Sequence, residues 1–186
     1  WPVTFAPSFL PDSDAPGPDI IFEGNSLTGN KGGIAGGGSS WPTKLMNTVG
    51  WQQYSYANFA EGGNLQTLHV EPRIASNPAI LQPGRAVPRY FFIWTGINDV
   101  TRNLSAATVT ESLGRSIADA KEAGFHVILL PLTPVASPSD QLTYGYSLNQ
   151  QATLGAINEW IATEGASLAD QYLNINEIPE LQDPTN

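Results

Sequence analysis

"RYFFIWTGINDV", residues 89–100, is the stretch on which the fold turns. Tyr90 through Trp94 are apolar without a break, a run of strand length and too short for a helix. An alternating pattern would leave one face wet. A continuous one means that both faces are covered, as in a parallel sheet with helices on either side. The run stops at Thr95-Gly96, and Asn98 and Asp99 follow, residues of the kind that form turns.

Toward the C-terminus the pattern changes period. Thr108 and Glu111 have capping-box spacing, Val109, Leu113 and Ile117 recur at i, i+4 and i+8, and Gly124 closes the helix. "HVILLPL", 126–132, is another buried strand. Leu154, Ile157 and Ile161 mark a helix that stops near Gly165, and "SLADQYL", 167–173, is a last strand. Toward the N-terminus, "WQQYSYANFAEGGN", 51–64, supplies a strand from Tyr54 to Asn58 and ends in a Gly-Gly turn. Ser39 or Ser40 caps a helix with Pro42 in its first turn, burying Trp41, Leu45 and Met46. Residues 19–23 are a short buried strand that runs into "GNSL". Strands alternating with helices predict an α/β chain, a three-layer α/β/α sandwich around a central parallel sheet, flavodoxin-like in its order, in one domain spanning 1–186.

Two segments stand apart. Residues 1–18 hold five prolines and no period, and read as an extended arm over the body, anchored by Trp1 and Phe5. "NKGGIAGGGSS", 30–40, has the glycine of a phosphate cradle but not its Gly-Lys-Ser/Thr ending, so it reads as a mobile loop.

Composition narrows the partners. Seventeen acids against 8 bases give a net charge of −9, which disfavours nucleic acid and anionic membrane surfaces and suits a neutral ligand. No apolar stretch approaches the ~20 residues of a membrane span. There are no cysteines, so thiolate nucleophiles and cysteine metal sites are out. A start at Trp1 rather than Met fits a removed signal peptide or an artificial boundary, and Asn103-Leu104-Ser105 is a glycosylation sequon. The expectation is a secreted, glycosylated monomer.

In a parallel sheet the site forms beyond the carboxyl ends of the strands. Three turns there carry unusual polar residues: Gly24-Asn25-Ser26, Gly62-Gly63-Asn64 and Gly96-Ile97-Asn98-Asp99. A serine hydroxyl beside its own N–H, a glycine N–H and an asparagine amide are the parts of a nucleophile with an oxyanion hole. Each alone has a bland reading: Ser26 as a helix cap, Asn98 as a turn former, Asp99 as a cap for the segment that follows it.

Taken together, "GNSL", "NFAEGGN" and "GINDV" resemble, in order, the first three sequence blocks of the GDSL/SGNH hydrolases. The resemblance runs from about Asp19 to Leu173 and implies an esterase working through an acyl-enzyme. It implies Ser26 as nucleophile, with the Ser26 N–H, the Gly63 N–H and the Asn98 amide as the oxyanion hole. It implies no cofactor, and a small-molecule or carbohydrate ester as substrate; short acyl groups on neutral sugars fit the acidic chain best.

Two departures stand out. Asn25 replaces the usual aspartate but keeps its shape and one acceptor. The fourth block, Asp-x-x-His, has no match: Asp183 is followed three residues on by Asn186, whose amide cannot accept a proton at neutral pH. Three readings remain. The histidine lies beyond Asn186, or the protein is a binder that has lost the chemistry, or another histidine serves. Only His69 and His126 are available, and both read as structural. Trp94, Tyr144 and Tyr146 could line a substrate groove but read first as core, and Glu177, Glu180 and Asp183 as a solvated tail.

Overall fold

The computed structural model describes residues 17–29, 40–48, 54–82, 88–133 and 146–177. The Trp1–Phe5 anchor, the glycine-rich 30–39 stretch, Tyr144, Glu180, Asp183 and Asn186 lie outside the described residues. Five strands, β1 (Ile20–Gly24), β2 (Tyr56–Asn58), β3 (Tyr90–Trp94), β4 (His126–Leu129) and β5 (Gln171–Tyr172), form one sheet in the order β2-β1-β3-β4-β5. Every pairing is parallel. This is the flavodoxin-like order, with its switch point between β1 and β3. The helices are α1 (Ser26–Gly29), α2 (Trp41–Met46), α3 (Glu71–Ser76), α4 (Pro78–Leu81), α5 (Ile97–Thr101), α6 (Ala106–Glu122), α7 (Leu148–Trp160) and α8 (Ala166–Leu168). None of them is long and apolar enough to cross a membrane.

Strand side chains alternate between faces, so the apolar runs feed two cores. Ile21, Phe91, Ile93, Val127 and Leu129 pack with Ile74 of α3, Val109, Leu113 and Ile117 of α6, and Ile157 of α7. On the opposite face Ile20, Phe22, Phe92 and Ile128 pack with Met46 of α2 and with Ile175. Phe22 stacks on Phe92 at 4.9 Å, and Trp41 meets the edge of Phe22 at 5.1 Å.

Helix boundaries depart from the sequence expectation in two places. The cap of α6 is Ser105, not Thr108: Ser105 Oγ accepts the Thr108 N–H at 3.2 Å, and the helix begins three residues early. Ala106 and Ala107, good helix formers, extend it past the Thr-x-x-Glu signal. The helix of Leu154, Ile157 and Ile161 does not stop at Gly165 either. After α7 it passes through a wider turn, Ile161–Gly165, into α8. Gly165 is there for closeness, since a Cβ would lie 2.9 Å from Leu129 and Trp160. The caps at Ser40 and Gly124 are where the sequence puts them, Gly124 at φ +84°.

Among the described residues, one buried charged side chain sits in an interior strand of the sheet. Glu23 of β1 is fully buried and takes a two-pronged grip from Arg73 of α3, Nε to Oε1 at 2.8 Å and Nη2 to Oε2 at 2.7 Å. Burial pushes the Glu23 carboxyl above its ordinary range against the pull of Arg73. Removing one partner of such a pair strands a buried charge. Arg73→Met is expected to lower stability by about 3–5 kcal/mol, and the double change Glu23→Leu/Arg73→Met to recover most of it. Denaturant titrations of the three proteins give the comparison.

Candidate active site

The register of the sheet brings the three polar turns to one edge. Gly24, the last residue of β1, pairs with Trp94, the last of β3, so both following turns start level. Phe22 pairs with Asn58 at the end of β2, and the Phe59 N–H donates to the Phe22 carbonyl at 3.0 Å. A Cβ on Gly24 would lie 2.6 Å from both the Trp94 carbonyl and Thr28 Oγ1, so only glycine fits.

The first turn is held by Asn25. It is 1% exposed, and its Oδ1 accepts the Leu27 N–H at 2.9 Å while its carbonyl accepts the Thr28 and Gly29 N–H groups. Asparagine thus does the turn's work with one acceptor. The turn lifts Ser26 into a half-buried position at the start of α1. The second turn is tied to the first by Asn58, whose Nδ2 donates to the Thr28 carbonyl at 3.1 Å. It reverses at the exposed Gly63, in the left-handed region at φ +84°. The third turn begins at Gly96, φ +117°, whose position packs against Val109 and Leu132. Two residues on, Asn98 Nδ2 donates to the Asn64 carbonyl at 2.8 Å.

Among the described residues, neither the Ser26 N–H nor the Gly63 N–H makes a hydrogen bond. Asn98 Nδ2 has two hydrogens, and only one is used. An edge with a serine hydroxyl and three spare donors on neighbouring turns can stabilise an anion at an attacked carbonyl.

Asp99 is not a cap for the segment after it. It is fully buried and reaches back to the helical turn that follows the second block, Gln66–Val70. Its carboxylate accepts the Gln66 N–H at 2.7 Å, the Thr67 N–H at 3.2 Å and the Thr67 hydroxyl at 2.8 Å. Nothing in "GINDV" alone points backward. The signal is an acid in a turn otherwise wrapped in apolar residues.

The same helical turn leads into a polar layer under α6. The Gln66 amide donates to Ser116 Oγ at 2.7 Å and Ser112 Oγ at 3.2 Å. The Ser112 hydroxyl donates to Glu71, which is paired with Arg115 at 2.5 Å. The Arg115 guanidinium holds the Glu71 carboxyl below its ordinary range, with help from Ser112.

Neither histidine faces this edge as a base. His126 opens β4 at the amino end of the sheet, exposed, and its backbone N–H donates to the Arg89 carbonyl. His69 lies in the 66–70 turn, exposed, and its Nδ1 accepts the Leu65 N–H at 3.0 Å. A neutral ring bonded that way carries its proton on Nε2, with no lone pair left to offer. Tyr146 belongs to the core, where burial pushes its phenol up, and Trp94 Nε1 donates to the Pro131 carbonyl. Among the described residues no three histidine or carboxylate side chains gather as a metal site needs.

Residues 22–185 match the profile of the GDSL-like lipase/acylhydrolase family. No curated protein sequence matches the chain. Solved structures that resemble it include a member of the lipolytic protein G-D-S-L family from Veillonella parvula, with a TM-score of 0.62 and 21% identity over 83% of this chain and 76% of that one. The psychrotrophic esterase EstA from Pseudoalteromonas, inhibited by monoethylphosphonate, gives 0.58 and 17% over 84% and 76%. A GDSL-like lipase from Bacteroides thetaiotaomicron gives 0.59 and 17% over 83% and 67%.

Two outcomes follow from the packing. Gly24→Ala forces a methyl into the Trp94 carbonyl and is expected to cost about 1–3 kcal/mol, read as a lower denaturation midpoint. The depressed Glu71 carboxyl contributes stability above its unfolded pKa of about 4.3, and that contribution is lost as pH falls through the lower folded value. Glu71→Gln should therefore reduce stability at neutral pH and flatten its fall as pH drops below the ordinary carboxylate range, in melts from neutral into acid.

Proposed function

We propose, from the fact that this chain belongs to the GDSL-like lipase/acylhydrolase family, that it is a serine ester hydrolase with Ser26 as its nucleophile. Ester hydrolysis is the family's chemistry. The carrying observation is the set of spare donors: the Ser26 N–H, the Gly63 N–H and the second hydrogen of the Asn98 amide, on three turns bonded to one another.

In this mechanism Ser26 Oγ adds to the ester carbonyl and its proton passes to a general base. The carbonyl oxygen becomes an oxyanion held by the three donors. The C–O bond to the leaving alcohol then breaks, the alkoxide takes back the proton, and an acyl-enzyme remains. Water attacks that ester in turn, and the acid leaves with Ser26 restored. The base is neither His69 nor His126 as they are placed. The family pattern looks for it in an Asp-x-x-His block after the last strand, where this sequence has Asp183 and Asn186.

Short acyl esters of neutral carbohydrates are the proposed substrates. The net charge of −9 supports a neutral partner over a polyanion. The same reading takes the protein as a secreted monomer that needs no cofactor and carries a glycan at Asn103, which is exposed in a left-handed turn at φ 59°.

The placement of both histidines favours one other reading, a binder of carbohydrate or another small ligand at the same edge of the sheet. A serine-reactive fluorophosphonate separates the two. For an esterase, intact mass should rise by one phosphonyl group, mapped to Ser26, and Ser26→Ala should stay unlabelled. An unlabelled native protein that still binds acetylated oligosaccharides by calorimetry would replace the esterase with the binder.

A further inference from the structure

We infer that Asp99 is a positioning residue: its buried carboxylate fixes the Asn98 amide and the Gly63 turn relative to each other. This rests on the reading of Gly63 and Asn98 as oxyanion donors. The two donors come from different loops, and only cross-bonding can hold them at one separation. Residues 98 and 99 do that bonding. Asn98 grips the carbonyl of Asn64, and Asp99 grips the Gln66 and Thr67 N–H groups and the Thr67 hydroxyl. Four bonds from two consecutive residues hold a four-residue stretch that begins immediately after Gly63. The far side of that stretch is anchored by the Gln66 amide on Ser112 and Ser116 of α6.

A carboxylate is required by the partners. All three groups facing Asp99 are donors, so it must accept at both oxygens. An asparagine would turn its NH2 toward an N–H and lose part of the grip. A full charge also makes these bonds roughly twice as strong as neutral ones. The stiffness matters because an error of ~1 Å at a reacting centre costs on the order of 100-fold in rate.

The test is side-chain amide exchange of Asn98 by NMR in the full chain, which reads the clamp without needing turnover. In Asp99→Asn the Asn98 hydrogen that bonds the Asn64 carbonyl should exchange at least about tenfold faster, while the Phe91 and Leu129 amides keep their protection. Thr67→Val removes one of the three donors and should move the same signal by less. It decides the matter if Asp99→Asn does not fold. Unchanged Asn98 exchange in the variant that decides overturns the inference.

Hydrolysis of p-nitrophenyl acetate gives the second readout. Asp99→Asn should lower kcat with little change in KM, and the loss it adds to Asn98→Ala should be smaller than the loss it causes alone. Losses that multiply would mean that Asp99 acts apart from Asn98, and the positioning role fails. If Asn98→Ala hydrolyses the ester at the native rate, the oxyanion reading falls instead, and amide exchange alone judges the clamp.

Discussion

The parallel register between β1 and β3 is the constraint on which the site depends. Gly24 lies against the Trp94 carbonyl so closely that a methyl group cannot enter, and that contact levels the ends of the two strands. A slip of one residue would turn every side chain of β1 to the other face. Glu23 would then leave Arg73 and enter the layer of Phe22, Phe92 and Trp41, where a carboxylate has no partner. The buried ion pair adds little net stability over an apolar pair of the same size. Its energetic value lies in what it forbids, since the wrong register would carry an unpaired buried charge.

Helix α6 joins the apolar and polar halves of the structure. One stripe, Val109, Leu113 and Ile117, packs on the sheet, and a neighbouring stripe, Ser112 and Ser116, receives the Gln66 amide. The turn after the second block is therefore supported from below by the helix and from the side by Asp99. Sites resting on such shells hold their geometry through packing and not through the loops alone.

Much of this was legible in the sequence. Unbroken apolar runs at Ile20–Phe22 and Tyr90–Trp94 announced strands covered on both faces, and the parallel sheet followed. The turns at Gly24, Gly63 and Gly96 stood out as punctuation and emerge at one edge of that sheet. Partners across the fold were not legible. Asp99 looked like a local cap because a one-dimensional pattern carries no information about which segment lies opposite. The Thr108 cap failed for a plainer reason: two competing local signals, Ser105 and Thr108, differ little in energy, and the alanines between them tipped the balance. Gly165 misled because glycine marks both helix ends and close approaches, and here Leu129 and Trp160 press on it.

The central pairing aligns Ile20 with Tyr90, and β2 comes to lie outside β1 although it follows β1 in the chain. Contacts so distant along the sequence must pay their loop-closure entropy before any packing rewards them, which makes assembly slow. No stretch of the chain that ends before β3 can hold both Ser26 and Asn98. A ribosome must therefore release the chain past Asn98, about half of its 186 residues, before the three polar turns can meet at one edge.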